Sequence, residues 1–116
     1  MKNLLTTIPQ RGRLRHWADV EQILRECNGE EDFWTFSCRY FPKESGPGAL
    51  CFIIHSGFVR WYLTVLEYSD EPVYRVGETP EEELITGNKL KLAVWRPISP
   101  IARTGFQGWR YTELQP

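Results

Sequence analysis

The sequence predicts an α+β protein built on a small mixed or antiparallel β-barrel with two or three short helices. Three observations lead to this fold class. Five or six runs are rich in β-branched and aromatic residues, two short stretches carry helical signals, and the runs are joined by hairpins as well as by longer links. Such a mixture favours a barrel with helices at its ends over a doubly wound sheet. The 116 residues suffice for one domain, so we expect residues 1–116 to form a single unit.

The predicted centre of the chain is a pair of apolar strands joined by a tight turn. The run Leu50–Ile54 is apolar without interruption, which is typical of a strand covered on both faces. The run Phe58–Tyr68 is largely apolar on both alternating faces, as expected where one face lines a barrel and the other meets a helix. Between them, Gly57 can adopt the positive φ of a tight turn. His55 and Ser56 therefore form a polar tip at the end of the most buried segment.

A first strand and a cluster of positive charge are predicted near the start of the chain. Lys2–Ile8 has the β-rich character of a strand, and Pro9 ends it. The densest positive cluster follows at alternate positions, with Arg11, Arg13 and Arg15. Because guanidinium groups match phosphate oxygens, this segment is either a phosphate-facing edge or a solvated loop.

One helix and one strand are predicted in the next part of the chain. Apolar residues recur with helical spacing over Trp17–Cys27, which places Trp17 on the face that meets the core. Asn28 and Gly29 supply a left-handed end to this helix. Phe33–Phe41 then alternates apolar and polar residues, which is the pattern of a half-buried strand.

The remainder of the chain contains further strand patterns and a second helical signal. A threonine, a proline and a glutamate that suit a capping box predict a short helix that begins at Thr79 and ends at Gly87. The proline-bearing segment Arg96–Ile101 is predicted to be an extended connection. Strand patterns recur at Val73–Val76, Lys89–Trp95 and Trp109–Glu113.

Composition and charge argue against several classes of protein. The net charge is −1 and the pI is about 6.1, so the chain lacks the overall basic character of many nucleic-acid-binding proteins. The three cysteines are far apart and the start is too polar for a secretory signal, so we expect reduced thiols in a cytoplasmic protein. Two histidines without ligand spacing predict no metal and no cofactor. No apolar stretch reaches the ~20 residues that span a membrane.

The order of these features resembles a known superfamily. A loop with Pro47 and Gly48 leads into an apolar strand, a short polar turn and a second apolar strand, and the glycine-rich Arg103–Tyr111 comes late. Over most of the chain this order resembles the PUA-like superfamily, and within it the ASCH and EVE domains. The resemblance implies a β-barrel that binds RNA, or a flipped modified base, in a cleft beside the barrel. The Lys, Thr and Glu catalytic set of ASCH amidohydrolases has no counterpart here, so the resemblance favours binding over catalysis.

The resemblance places this cleft near the end of the buried strand, at His55 and Ser56. A base-binding cleft needs an aromatic wall, a polar group that reads the base edge, and cations for phosphate. Tryptophans of the predicted set would stack on the base, His55 and Gln107 would read its edge, and arginines would neutralise phosphate. The predicted binding residues are Trp34, Arg39, His55, Ser56, Arg60, Trp61, Trp95, Arg96, Gln107, Trp109 and Arg110.

The sequence supports three hypotheses about function. The leading one is a small cytoplasmic domain that binds RNA, single-stranded nucleic acid or a modified nucleotide without catalysis. The second is a small hydrolase that acts on a nucleoside-like amide on the same fold, which would need a nucleophile or base with a perturbed pKa. The third is a protein-interaction module that uses its aromatic surface. A concave pocket lined by Arg and Trp favours the first hypothesis, whereas a large exposed apolar patch favours the third.

Overall fold

The chain is mostly β-structure, with one α-helix in the part that the structure describes. The computed structural model describes residues 1–29, 31–76 and 82–116. In chain order the elements are β1 (Asn3–Thr7), a 3₁₀ turn (Gly12–Leu14), α1 (Trp17–Arg25), β2 (Trp34–Ser37), β3 (Leu50–His55), β4 (Phe58–Ser69), β5 (Val73–Val76), β6 (Glu82–Ile85), β7 (Lys89–Ala102) and β8 (Trp109–Thr112).

Six strands form one mixed sheet in the order β2-β7-β4-β3-β1-β8, and β5 pairs with β6 in a separate two-stranded sheet. β1 runs parallel to β3, and the other pairs are antiparallel. Leu4 of β1 lies between Cys51 of β3 and Tyr111 of β8. The first strand of the chain is therefore an interior strand of the sheet, next to the last one.

The sheet curls into a half-barrel. Three strands lie between β1 and β2 in the sheet order, yet β1 and β2 line the same cavity. The sheet must therefore bend so that these two strands face each other. The loop 38–48 spans the gap between the edge strands β2 and β8, a region that we call the seam. There the indole Nε1 of Trp109 donates to the carbonyl oxygen of Tyr40 at 3.2 Å, and the amide of Glu44 donates to the hydroxyl oxygen of Tyr111 at 2.9 Å.

Both faces of the sheet are packed, as the uninterrupted apolar run in β3 predicts. On the inner face, Val20 and Leu24 of α1 pack into one core with Ile53 and Trp61. On the outer face, a second core includes Phe52 and Ile54, covered by half-buried side chains such as Phe106 and Leu114. Alternate residues of β3 thus enter opposite cores, because successive side chains of a strand point to opposite faces.

Several predicted elements are confirmed. The first strand, the first helix and the two central strands occur where the sequence predicts them, and so does a last strand that begins at Trp109. The central hairpin has a two-residue turn in which Ser56 and Gly57 have φ values of +53° and +77°. Positive φ at both positions is the requirement of a type I′ turn, whose twist matches that of the flanking strands.

Other predictions were wrong. The predicted helix at Thr79 lies partly outside the described residues, but Glu82–Ile85 is a strand that pairs with Val73–Val76. The predicted connection Arg96–Ile101 belongs to β7, which pairs with β4 across several register shifts. The prolines are tolerated because the ladder is already interrupted there, so fewer donors are required. The described residues therefore contain one α-helix rather than two or three.

Candidate functional site

A cavity of about 220 Å³ opens on the inner side of the half-barrel, between the end of β1 and the edge strand β2. A cavity needs about 10–15 Å³ of such space to hold one water molecule, so this one has room for a small organic group. We call it the seam cavity. Its lining residues are Thr6, Thr7, Ile8, Pro9, Arg11, Leu14, Trp34, Thr35, Phe36 and Ser37.

The chemistry of the seam cavity is mixed. The half-buried rings of Trp34 and Phe36 stand on the side of β2. Thr6 and Thr35 contribute hydroxyl groups and are only 2% and 3% exposed. The Thr6 hydroxyl donates to the carbonyl oxygen of Gly108 at 3.0 Å, which leaves its oxygen lone pairs to accept. Arg11 adds a guanidinium group to the same lining. An aromatic wall, hydroxyl groups and a cation therefore occur together in one concave site.

The mouth of the cavity is shaped by the segment that follows β1. Pro9 ends the strand, and Gly12 enters the 3₁₀ turn with a φ of +56°, a value that glycine adopts without strain. The amide of Leu14 donates to the carbonyl oxygen of Arg11 at 2.9 Å, which closes the turn. This turn places Arg11 and Leu14 in the cavity wall.

His55 supports this wall rather than lining it. The His55 ring is fully buried, and its Nε2 lies 2.6 Å from the carbonyl oxygen of Leu14. A carbonyl oxygen only accepts, so Nε2 carries the proton and Nδ1 is the acceptor. Nδ1 lies 2.9 Å from the Ser56 hydroxyl, which therefore donates to it. The Ser56 oxygen in turn accepts from Nε2 of Gln10 at 2.8 Å.

Both nitrogens of the His55 ring are thus engaged, and the ring stays neutral. Burial lowers the pKa of His55 below its usual value of 6.5, and the charge of Arg60 acts in the same direction. The hydrogen bond to Leu14 opposes this shift but is the smaller effect. The prediction that His55 reads a base edge is therefore replaced by a structural role, in which the ring fixes the cavity wall through Leu14.

Arg60 lies on the outside of the same end of the barrel. Its Nε donates to the carbonyl oxygen of His55 at 2.9 Å. Its guanidinium carbon is 5.1 Å from the ring centre of Trp17 and 5.2 Å from that of Phe58. We expected Trp17 in the core, but 46% of it is exposed. As the first residue of α1, Trp17 stacks on Arg60 instead of facing the sheet.

The tryptophans predicted to stack on a base differ in exposure. Trp61 is only 1% exposed, and its Nε1 donates to a carboxylate oxygen of Glu21 at 2.9 Å, so it is a core residue that cannot meet a ligand. Trp95 is half-buried beneath the guanidinium of Arg25, at 4.7 Å, and its Nε1 has no hydrogen-bond partner among the described residues. Trp109 packs against the inner core at the seam. Of the predicted tryptophans, Trp34 is the one that lines the cavity.

The remaining predicted residues are exposed and lie away from the cavity lining. The Arg39 guanidinium lies over the neighbouring Tyr40 ring at 5.5 Å. The guanidinium of Arg110 lies over Phe106 at 4.1 Å, on the outer face of the sheet. Arg96 donates to the carbonyl oxygen of its neighbour Trp95 at 3.2 Å, and Gln107 lies in the loop before β8. The structure therefore does not gather the predicted set into one site.

Sequence reasoning missed the hydroxyl groups and one ring of the seam cavity. Thr6 was predicted only as part of a strand, although its position two residues after Leu4 places both side chains on the inner face. Thr35 and Phe36 were predicted only as strand residues. These residues come together only in the tertiary structure, because the curled sheet brings β1 and β2 to the same cavity, and no local sequence pattern predicts that curl.

Comparison with known proteins returned no matching family model, no curated relative and no similar solved structure. The PUA-like resemblance therefore remains a prediction. Within the described ranges, no helix has the length and apolar character needed to cross a membrane. The same part of the chain contains no cluster of three or more His, Cys, Asp or Glu side chains arranged to hold a metal ion.

Proposed function

We propose that this protein binds a single nucleotide base, as part of RNA or as a modified nucleotide, in the seam cavity. The observation that supports this most directly is the coexistence of an aromatic wall, buried hydroxyl groups and an arginine around about 220 Å³. These are the groups that recognise an unstacked base and its phosphate. The resemblance to PUA-like domains supports the same class of ligand.

The lining residues have distinct roles in this proposal. Trp34 and Phe36 contact the faces of the base, where stacking contributes about 1–3 kcal/mol. The Thr6 hydroxyl, whose proton is donated to Gly108, accepts from a donor on the base edge, and Thr35 adds a second hydroxyl group to the lining. Arg11 contacts the phosphate, to which its fork of N–H groups is matched.

The hydrolase hypothesis has one observation in its favour, which is the Ser56 hydroxyl that donates to His55 at 2.9 Å. Two features make this a poor catalytic pair. Burial lowers the pKa of His55, so the ring is a weak base that resists becoming an imidazolium. Its Nε2–H faces a neutral carbonyl rather than a carboxylate, which would stabilise the positive charge more strongly. We therefore place binding before hydrolysis.

A titration of the ¹⁵N-labelled protein with nucleoside monophosphates tests the proposal. The panel contains the four standard ribonucleotides and base-methylated forms, each added to millimolar concentration. We expect the amide signals of Thr6, Arg11 and Thr35 and the indole signal of Trp34 to shift together. Saturation of these shifts at different concentrations would rank the bases.

A pair of matched variants separates binding in the cavity from binding elsewhere. Trp34→Leu should abolish the shifts, whereas Trp95→Leu removes another half-buried indole that does not line the cavity and should leave the affinity unchanged. Circular dichroism verifies that both variants are folded. Absence of shifts with every nucleotide, or equal losses in the two variants, would refute the proposed function.

A further inference from the structure

An exposed stack of two rings and an arginine lies beside the seam cavity. The guanidinium of Arg60 stands between the rings of Trp17 and Phe58, at 5.1 and 5.2 Å from their centres. The two aromatic residues are 46% and 39% exposed. A ring that is partly open to water offers a face on which a nucleobase can stack.

The stack is anchored to the main chain through Arg60. Arg60 is tied by its Nε to the carbonyl oxygen of His55 at 2.9 Å, and the His55 ring is fully buried. Phe58 lies opposite His55 at the start of β4, directly after the tight turn. Trp17 is fixed as the first residue of α1. Because Arg60 is already held by its hydrogen bond to His55, it loses little side-chain freedom when a flat ligand stacks beside it.

Two further exposed arginines lie close to residues of this stack, although the whole chain carries a net charge of −1. The amide of Arg103 donates to the carbonyl oxygen of Gly57 at 3.0 Å, so the exposed Arg103 lies beside the hairpin turn. The exposed Arg15 comes two residues before Trp17 in the chain. We call Arg15, Trp17, Phe58, Arg60 and Arg103 together the arginine–aromatic face.

This face adjoins the mouth of the seam cavity. Leu14 lines the cavity, and Trp17 follows it three positions later in the chain, so their Cα atoms are at most ~11 Å apart. His55 contacts both regions, because its ring Nε2 donates to the carbonyl oxygen of Leu14 and its main-chain oxygen accepts from Arg60. A strand that leaves the cavity can therefore reach the stack within a few nucleotides.

We propose that the arginine–aromatic face binds the single-stranded flank of a nucleic acid whose neighbouring base occupies the seam cavity. The inference rests on the proposed function of that cavity and extends it from a nucleotide to a polymer. Bases stack on Trp17 and Phe58, and the arginines contact phosphates. Stacking reads no sequence, so the face supplies affinity, while the cavity selects the base.

The test compares one nucleotide with a hexanucleotide that contains the same base, in RNA and in DNA form, by fluorescence anisotropy and NMR. Six nucleotides fall within the range of site sizes, about 4–16, of known single-strand binding surfaces. We expect the hexanucleotide to bind more tightly than the mononucleotide. Trp17→Ala should weaken hexanucleotide binding by about 5- to 150-fold, which corresponds to one lost stacking contact, and should not change mononucleotide binding.

Tyr74→Ala serves as the matched control for the ring. Tyr74 is 71% exposed, and it lies on the separate two-stranded sheet. Its removal should leave both affinities unchanged. An equal loss in the Tyr74 and Trp17 variants would overturn the proposed role of the arginine–aromatic face.

Salt dependence tests the arginines independently. Each phosphate contact contributes about 0.7 to the slope of log K against log salt for a single strand. The double variant Arg15→Gln, Arg103→Gln should therefore flatten the slope by about 1.4, whereas Lys43→Gln, an exposed cation in loop 38–48, should not change it. An unchanged slope in the double variant would overturn the phosphate contacts.

The two proposals fail in different ways. If the mononucleotide shifts the cavity signals but the hexanucleotide binds no more tightly, the arginine–aromatic face has no such role and the cavity proposal survives. If neither ligand binds, both proposals are wrong. If the hexanucleotide binds with shifts at Trp17 and Arg60 but none at Trp34, the cavity proposal fails, and so does the coupling of cavity and face proposed here.

Discussion

Lys89 offers the sharpest test of how the two sheets are joined. Its side chain is fully buried, although the alternation in its strand predicts a solvated position. The ammonium group donates to the carbonyl oxygen of Glu71 at 2.6 Å and to that of Gly87 at 2.7 Å. These carbonyls belong to the links between β4 and β5 and between β6 and β7. One buried charge thus anchors both ends of the β5–β6 hairpin to the main sheet.

The magnitude can be worked from these two hydrogen bonds. A hydrogen bond to a charged group contributes about 1.5–3 kcal/mol net, so two contribute about 3–6 kcal/mol. Glu71 and Gly87 are themselves exposed, so water can reach their carbonyls once the ammonium is gone. Lys89→Met keeps the apolar stem but loses the donors, and we expect it to lower the free energy of unfolding by about 2–4 kcal/mol. The melting temperature should then fall by about 10 °C.

Urea denaturation followed by circular dichroism measures this loss, and Lys91→Met is the matched control. Lys91 lies two residues further along β7 and pairs with Glu67 at 2.8 Å, but that glutamate is half-exposed. Such a pair contributes at most about 1 kcal/mol. Amide hydrogen exchange should also quicken in β5 and β6 of the Lys89 variant alone. Equal losses in both variants, or a Lys89 variant as stable as the native chain, would refute this reasoning.

Three other groups have measurable consequences. Burial lowers the pKa of His55, so the folded chain binds fewer protons than the unfolded chain, and the free energy of unfolding should decrease as pH falls through 6.5. NMR at that pH should show a neutral His55 ring with its proton on Nε2, and a doubly protonated ring would contradict this prediction. Val94 has a φ of +65°, which strains a β-branched residue. Urea denaturation should therefore find Val94→Gly more stable than Val94→Ala by about 1 kcal/mol, whereas alanine is usually the more stable of the two in strands. Burial raises the pKa of Cys27 to about 11 and that of Cys51 to about 12, so iodoacetamide should label the half-buried Cys38 first. Mass spectrometry follows the labelling, and equally fast labelling of Cys51 would contradict the core packing.

The parts of the fold that follow local rules could be predicted from the sequence. The apolar run before His55 predicts a strand covered on both faces, and β3 indeed contributes to two cores. The Ser56–Gly57 pair predicts the tight turn, and both residues have positive φ. In each case the deciding interaction lies within a few residues of sequence, so the local pattern and the fold agree.

The wrong predictions of secondary structure and burial arise where a contact between residues far apart in the sequence determines the local structure. The capping pattern near Thr79 favours a helix, but Glu82–Ile85 finds a partner strand in Val73–Val76 and pairs with it. Trp17 falls on the apolar face of its helix, yet it lies at the first position and stacks on Arg60. Propensity is a weak preference in each case, and tertiary pairing overrides it.

The candidate site could be predicted only in part. The sequence places Trp34 among the predicted binding residues and Arg11 in a cluster that is either a phosphate-facing edge or a solvated loop, and both residues line the seam cavity. Trp61 was predicted to be a ligand contact because a strand position near a turn does not reveal whether it faces water or α1. The Trp61 indole donates to the half-buried carboxylate of Glu21, forty residues away in the sequence, and this contact holds the ring against α1.

The position of β1 has a consequence for how the chain acquires its structure. Leu4 pairs on one side with Cys51 and on the other with Tyr111, so the sheet joins segments from nearly opposite ends of the sequence. Contacts of such long sequence separation slow folding, because a long loop must close before the contact forms. During synthesis the outer edge of β1 stays unpaired until β8 has left the ribosome. In that interval the exposed edge is a template for pairing with another chain, and docking of β8 covers it.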